Sequence, residues 1–188
     1  MVFSSGWASG VNAYLVVLVL GLADRIGHVS SIPDPLARTD VLVAAAALYA
    51  LEFVADKIPY VDSTWDAVST VVRPAIGTAI ALLLAGDAGS LQQAAYGALG
   101  GGTALASHAV KAGGRLAINA SPEPVTNVVA SLGEDVSVLA VVLLAIQHPW
   151  LALGVAATLL LVGGYVVLHL LRRVRRGWRR WKGRPVAT

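Results

Sequence analysis

The chain has 188 residues, of which 56% are hydrophobic and only 13% are charged, and its mean hydropathy is +0.70. Globular proteins have about 45–50% apolar and about 25% charged residues, so this composition excludes an ordinary soluble domain and indicates a membrane protein. Cysteine is absent, which excludes disulfides, thiolate catalysis and cysteine-ligated metal.

Apolar runs in chain order indicate the helices, since a bilayer core needs about 20 mostly apolar residues per helix. Residues 2–23, 88–107 and 150–171 contain no Asp, Glu, Lys or Arg. Residues 41–51, 74–86 and 136–147 reach spanning length only by including charges at one end. We therefore predict an all-α integral membrane protein, a compact bundle of about six transmembrane helices.

Proline and glycine indicate the connections, near residues 33–35 and 86–89 and at Pro149. No basic residue precedes the first apolar run and no convincing cleavage site follows it. We therefore expect a retained helix rather than a signal peptide.

The basic residues predict the orientation, since Lys and Arg that flank spans stay cytoplasmic. Eight of the 14 lie in residues 171–184. We expect a transmembrane domain at residues 1–171 and a basic cytoplasmic tail at 172–188, in the cytoplasmic (inner) membrane. With six crossings, both termini are predicted to be cytoplasmic. Such a tail is expected to attract anionic lipid headgroups, at about 1 kcal/mol per residue, rather than nucleic acid.

Under this topology, most polar residues of the membrane domain fall in its cytoplasmic half. We expect them to line a vestibule open to the cytoplasm and to bind a substrate or ion. The candidates are Asn12, Glu52, Asp56, Lys57, Asp62, Asp66, Arg73, Lys111, Arg115, Asn119, Glu123, Asn127, Glu134 and Asp135.

Helical spacing groups the charges by face, since residues three, four or seven apart lie side by side. Glu52 and Asp56 form an acidic face on the second helix. His108, Lys111 and Arg115 form a basic face on the fourth. We expect these two faces to neutralise each other in the packed bundle.

Arg73 is expected to pair with a carboxylate from another segment, with Glu134 or Asp135 as first choices and Glu52 next. The reason is that residues 66–73 and 127–134 carry similar polar patterns, with the charge reversed between Arg73 and Glu134. This suggests that helices two and three are duplicated in four and five. A three-plus-three inverted repeat is the alternative division.

Several motifs together resemble one family. GVNAYL, EFVADKIPYVDSTWD, the Arg73-Pro74 pair, NASPEPVTN and SLGED, in this order, are similar to a family of small prokaryotic membrane proteins described as a domain of unknown function, number four thousand one hundred and twenty-six. The resemblance covers roughly residues 10–171. It implies a fold and a membrane location, and no activity.

Three functional classes fit the sequence. The first is a transporter or channel for an ion or small polar solute. The second is an accessory or lipid-organising protein with a structural ion-pair network. The third is a membrane enzyme acting on a lipid headgroup, with Glu52, Asp56 or Glu134 as general base. The third is disfavoured because no nucleophile is recognisable, and the four histidines lack metal-ligand spacing, so we expect neither a metal nor a cofactor.

Charge counting favours a cation or protonatable solute as the ligand of the vestibule. Five of its acids face four bases, which leaves one net negative charge if all ionise. An anion remains an alternative if internal pairs consume the acids. A homo-oligomer also remains open.

Overall fold

The computed structural model describes residues 1–58, 60–119 and 124–182, and every regular element in these ranges is helical. The six α-helices are α1 (Val2–Gly27), α2 (Thr39–Ala55), α3 (Val61–Ala85), α4 (Ser90–Asn119), α5 (Pro124–Gln147) and α6 (Pro149–Lys182). A short 3-10 helix, Asp34–Ala37, lies between α1 and α2. The predicted all-α bundle of six helices is confirmed.

Within the described ranges, α1, α3, α5 and α6 are long and apolar enough to cross a membrane. α2 has 17 residues, and α4 carries Lys111 and Arg115 near its end. The outer surface of the bundle bears large apolar side chains, such as Val71, Leu91 and Leu161, each at least 74% exposed. Such a surface suits a hydrocarbon environment, so the chain has the features of a membrane-spanning helical protein.

The connections lie where proline and glycine predicted them. The 3-10 helix begins at Asp34, α3 ends at Gly86 with a positive φ of 56°, and His148 alone separates α5 from α6. α6 continues through residue 171 to Lys182, so the proposed boundary between domain and tail falls inside a helix. That boundary stays a prediction.

α1 is broken at Asn12, whose backbone is extended (φ −151°, ψ 95°) between two helical segments. The Asn12 Oδ1 atom accepts a hydrogen bond from the backbone N–H of Leu15, 3.0 Å away. A side-chain acceptor three residues before its donor is an N-cap, so Asn12 starts a new helix. We call residues 2–11 segment α1a and residues 13–27 segment α1b.

α1a runs parallel to α4. The carbonyl of Trp7 accepts from the Ser107 hydroxyl at 2.7 Å, and the carbonyl of Val11 accepts from the Lys111 ammonium at 3.0 Å. From the first contact to the second, the residue number rises by four on both helices. The two helix axes therefore point in the same direction.

α1b runs antiparallel to α2. Near its start, the Lys111 ammonium that binds Val11 lies 3.6 Å from Glu52, close to the end of α2. Near its end, Arg25 donates across 2.9 Å to Thr39, the first residue of α2. The two segments therefore pair in opposite directions.

α2 in turn runs parallel to α4. Glu52 lies beside Lys111, and Asp56, one turn later, accepts through its backbone carbonyl from Arg115, one turn after Lys111, at 2.8 Å. Because α1a is parallel to α4 and α1b is antiparallel to it, α1 is a helical hairpin with its turn at Asn12.

Both ends of this hairpin lie at one end of the bundle. Met1 shares a cavity of about 370 Å³ with Pro149 and Trp150, at the start of α6, and Arg25 meets the start of α2. We call this the N-terminal end of the bundle, and the opposite end, where α2 and α4 finish, the C-terminal end.

This geometry corrects the expectation of six full crossings with both termini on one side. α1 turns back at Asn12, so five helices traverse the bundle, and Met1 and the end of α6 lie at opposite ends. Hydropathy did not show the reversal, because Val2–Gly27 is long and apolar enough for a continuous span.

α1 is also the central helix, since it contacts each of the other five. Val16 and Leu20 of α1b are at most 1% exposed and belong to one apolar cluster with Ile80, Val138 and Val142. In a bilayer, van der Waals packing of this kind and interhelical hydrogen bonds hold helices together.

Glycines bring α1a, α3 and α4 into close contact. A Cβ on Gly10 would overlap the Ala104 carbonyl oxygen and the Ser107 hydroxyl. A Cβ on Gly100 would lie 2.6 Å from the carbonyl oxygen of Gly77. Only glycine allows backbones to approach this closely, as in other membrane helix interfaces.

Candidate functional site

A network of charged and amide side chains lies between α2, α3, α4 and α5, at the depth where α1 is broken. We call it the charged network. Its members are Asn12, Glu52, Asp56, Asp62, Asp66, Arg73, His108, Lys111, Arg115, Asn119, Asn127, Glu134 and Asp135. The three cations among them, Arg73, Lys111 and Arg115, are all buried.

Arg73 of α3 forms a fully buried ion pair with Glu52 of α2. Its Nη2 atom donates to Oε1 of Glu52 across 2.8 Å, and neither side chain is exposed. Its Nη1 atom lies 3.1 Å from Oδ1 of Asp66 and donates to the carbonyl of Gly10 at 3.3 Å. Arg73 thus ties α2 and α3 to the last turn of α1a.

His108 and Thr70 extend this arrangement into a closed ring of polar contacts with Arg73 and Asp66. Arg73 Nη1 lies 2.8 Å from Nδ1 of His108, and the Thr70 hydroxyl lies 3.0 Å from Nε2. Thr70 donates its own proton to the carbonyl of Asp66 at 2.9 Å. The network therefore assigns the proton of a neutral His108 to Nε2, where it is donated to Thr70, while Nδ1 accepts from Arg73.

Lys111 occupies the centre of the network. Its ammonium donates to Oδ2 of Asp56 at 2.6 Å and to the carbonyl of Val11 at 3.0 Å. It also lies 3.3 Å from Glu134 and 3.6 Å from Glu52. Three carboxylates and one carbonyl therefore surround a single buried ammonium.

Arg115 binds Glu134 through two parallel hydrogen bonds, from Nη2 at 2.6 Å and from Nε at 3.2 Å. Its Nη1 atom donates to Oδ1 of Asn127 at 3.3 Å. Such a bidentate pair is strong and directional. The first-choice partners predicted for Arg73 are therefore wrong: Arg115 holds Glu134, Asn12 holds Asp135, and the next choice, Glu52, is correct.

Asp62, at the start of α3, is held by amides. Asn119 donates to both of its carboxylate oxygens, at 2.9 and 3.0 Å, and Asn127 donates to Oδ2 at 3.4 Å. Arg115 lies 3.9 Å away. Asp62 therefore connects the beginnings of α3 and α5 to the end of α4.

Asp135 meets the break in α1. Asn12 Nδ2 donates to its Oδ1 atom at 2.9 Å, and its Oδ2 atom has no hydrogen-bond partner among the described residues. One side chain, Asn12, thus caps α1b through its oxygen and holds Asp135 through its nitrogen.

The two helix ends at the break have opposite polarity. The carbonyls of Gly10 and Val11, which α1a leaves without helical partners, accept from Arg73 and Lys111 respectively, and the Trp7 carbonyl one turn earlier accepts from Ser107. Cations are stabilised at the C-terminus of a helix and carboxylates near an N-terminus, and this arrangement provides both.

Two candidates remain apart from the network. Lys57 contacts the Phe53 carbonyl at 2.8 Å and its ring, and donates to Ser131 at 3.2 Å, with no carboxylate within 4 Å in the described part of the chain. Glu123 lies outside the described residues. The other twelve predicted candidates all belong to the charged network.

The expected opposition of an acidic and a basic face is confirmed, since Glu52 and Asp56 contact Lys111 and Arg115. The balance is more negative than expected, because Asp62 joins the five counted acids. Among described residues, the six carboxylates of the network face its three cations, Arg73, Lys111 and Arg115, since Lys57 lies apart from them. The excess of carboxylates is three.

The candidate set missed His108, Thr70 and the carbonyls of α1a. His108 carried a signal, because it lies one turn before Lys111 on the same helix face. The carbonyls of Gly10 and Val11 carried none, since they become available only through the break at Asn12.

Two cavities lined by described residues reach the network. One, of about 320 Å³ between α4, α5 and α6, is largely apolar and includes Lys111 and Glu134, whose side chain is 23% exposed. The other, of about 160 Å³ between α3 and α4, includes Asp66 and Thr70.

An all-α bundle with membrane-length apolar helices around buried charges defines a helical protein of membrane-spanning type. The chain belongs to the family described as Domain of unknown function (DUF4126), whose profile matches residues 1–169, as the motifs predicted. Searches of curated proteins and of solved structures found no match.

Proposed function

We propose that the protein is a transporter or channel for a small ion or polar solute, and that the charged network is its binding site. The observation that carries this proposal is the break of α1 at Asn12, inside the network. Helices broken at mid-membrane, with half-helix ends facing the ligand, are typical of secondary transporters.

The break supplies polar groups that a continuous helix would hide. Arg73 and Lys111 occupy the carbonyls of Gly10 and Val11 in this conformation. Movement of either cation would leave carbonyl and carboxylate oxygens free for a ligand. The site is thus a set of exchangeable ion pairs.

A purely structural role accounts less well for the network. A charged residue at mid-helix costs roughly 2.5–3.5 kcal/mol on insertion scales. Replacing buried ion pairs by apolar residues of similar volume is often neutral or stabilising. Stability alone therefore gives little reason to bury three cations and an excess of carboxylates.

The basic tail supports a location in the cytoplasmic membrane with the C-terminus in the cytoplasm. Because α1 folds back, the N-terminus then lies on the opposite side. We further propose that the tail contacts anionic lipid headgroups, which attract clustered Lys and Arg.

Reconstitution into liposomes tests the function. Influx of protons, reported by a pH-sensitive dye, and of radioactive sodium, rubidium and chloride is compared with empty liposomes. Flux above background for one probe is expected for the parent protein. Asn12→Ala should lower that flux at least about tenfold, because the loss of about 1.4 kcal/mol in ligand or transition-state binding has this effect.

Asp87→Asn, on the exposed connection between α3 and α4, is the matched control and should transport as the parent does. Parent liposomes that match empty ones for every probe would favour the structural role instead. A flux in Asn12→Ala equal to that of the parent would be consistent with transport but would show that transport does not require the break in α1.

A further inference from the structure

We propose that Asp66 is the ligand for a small monovalent cation, which reaches it through the cavity between α3 and α4. This inference rests on the proposed transport function and names its substrate class. The cavity of about 160 Å³ is lined by Ser63, Asp66, Ala67, Thr70, Ala112 and Leu116.

Asp66 is the least satisfied buried carboxylate that borders a cavity in the described part of the chain. It is 4% exposed, and neither of its carboxylate oxygens accepts a hydrogen bond. Arg73 lies 3.1 Å from Oδ1 but is shared with Glu52, His108 and Gly10. Oδ2 therefore has no hydrogen-bond partner among the described residues and is the oxygen of Asp66 left for a ligand.

The other oxygen atoms at the cavity suit a hard cation. Ser63 and Thr70 add hydroxyl oxygens on the same helix as Asp66, three residues before and four residues after it. Such oxygens, with water, are the preferred ligands of hard cations. Among the described lining residues, Asp66 is the one acid, so the local charge matches a monovalent ion.

The cavity also gives the cation a route. It extends along α3 from Ser63, near the C-terminal end of the bundle, to Thr70, which is about 10 Å deeper at 1.5 Å per residue. Its volume holds several waters, since one water occupies about 30 Å³ in the liquid. A partly hydrated ion can therefore reach Asp66 from that end.

The charge balance of the network favours a cation at this position. The six carboxylates of the network exceed its three cations by three, and Asp66 is the member whose carboxylate accepts no hydrogen bond among the described residues. Binding a cation at Asp66 offsets one of these negative charges without breaking the Arg73–Glu52 pair.

Thermal unfolding of the purified full chain in detergent tests the inference without requiring transport. The unfolding temperature is followed as sodium or potassium chloride replaces choline chloride at constant ionic strength. A saturable rise is expected for the parent, since a ligand of the folded state stabilises it. Asp66→Asn should weaken the apparent cation affinity at least about tenfold, because the paired charge is lost.

Two further variants keep the test decisive if Asp66→Asn does not fold. Ala112→Leu fills the cavity with the carboxylate intact and should abolish the cation response. Asp87→Asn, which is exposed, should respond as the parent does. No specific effect of sodium or potassium on the parent, or a parent-like response in Asp66→Asn or Ala112→Leu, overturns the inference.

The flux assay separates the two proposals. A cation response that depends on Asp66 without flux in the parent contradicts only the transport function. Flux in the parent that Asp66→Asn leaves unchanged contradicts only the cation site.

Discussion

Arg73 and Glu52 are joined at 2.8 Å in an ion pair in which neither side chain is exposed. Arg38 and Asp40 are joined at 2.7 Å, with 66% of each side chain exposed. Breaking a buried pair from one side leaves a lone charge at a cost of about 3–5 kcal/mol, so Arg73→Gln should strongly lower the unfolding temperature. Arg38→Gln should change it little.

Circular dichroism of both variants in detergent measures the difference. Equal shifts for Arg73→Gln and Arg38→Gln would show that the buried pair carries no special stability.

Asn12 has two roles at the turn of the α1 hairpin, as a cap for Leu15 and as a donor to Asp135. Removing an N-cap costs about 0.5–2 kcal/mol, and Asn12→Ala also leaves Asp135 without its donor. Asn12→Ser keeps a capping oxygen and should recover part of the loss. Thermal unfolding compares them. An Asn12→Ser variant no better than Asn12→Ala would argue against the cap.

Gly100 and Gly102 lie two residues apart on α4 and provide a matched pair. A Cβ on Gly100 meets the Gly77 carbonyl at 2.6 Å, whereas a Cβ on Gly102 meets nothing within 4 Å. Gly100→Ala should cost about 1–3 kcal/mol through overpacking. Gly102→Ala should be neutral or stabilise by up to about 1 kcal/mol, because alanine favours helices. The reverse order of unfolding temperatures would contradict the α3–α4 contact.

The sequence was sufficient for the six helices and for most of the charged residues of the site. Run lengths and proline or glycine positions predicted six helices, because these are local properties. Helical spacing placed Glu52 and Asp56 opposite Lys111 and Arg115, because residues four apart share a face. The depth of each charge along its helix was therefore largely predictable.

Which charges pair was less predictable, because several lie at similar depth. Arg73 and Glu134 have complementary charges, but each pairs with a residue on the preceding helix. Arg73 of α3 pairs with Glu52 of α2, and Glu134 of α5 pairs with Arg115 of α4. This charge-reversed correspondence suits the predicted duplication of helices two and three in four and five, which stays a prediction. The three-plus-three division fits less well, since α4 is continuous and α1 is broken.

The reversal of α1 was not predictable from hydropathy, because a hairpin buried at the centre of the bundle and a single span have the same composition. Asn12 was the one local signal, as a polar residue with capping ability within the first apolar run. Its effect depends on Arg73 and Lys111, which satisfy the carbonyls of Gly10 and Val11 that the break leaves free.

The α1 hairpin is the basis of both the topology and the proposed site, and single-cysteine labelling tests it most directly, because the chain has no native cysteine. A cysteine is introduced at Ser31 or Asp87, both exposed at the N-terminal end of the bundle, or in short tags before Met1 or after Thr188. Each variant is labelled in sealed vesicles with a membrane-impermeant maleimide. The hairpin predicts that the tag before Met1 labels from the same side as Ser31 and Asp87, and the tag after Thr188 from the other. Labelling of both tags from one side, opposite Ser31, would contradict it.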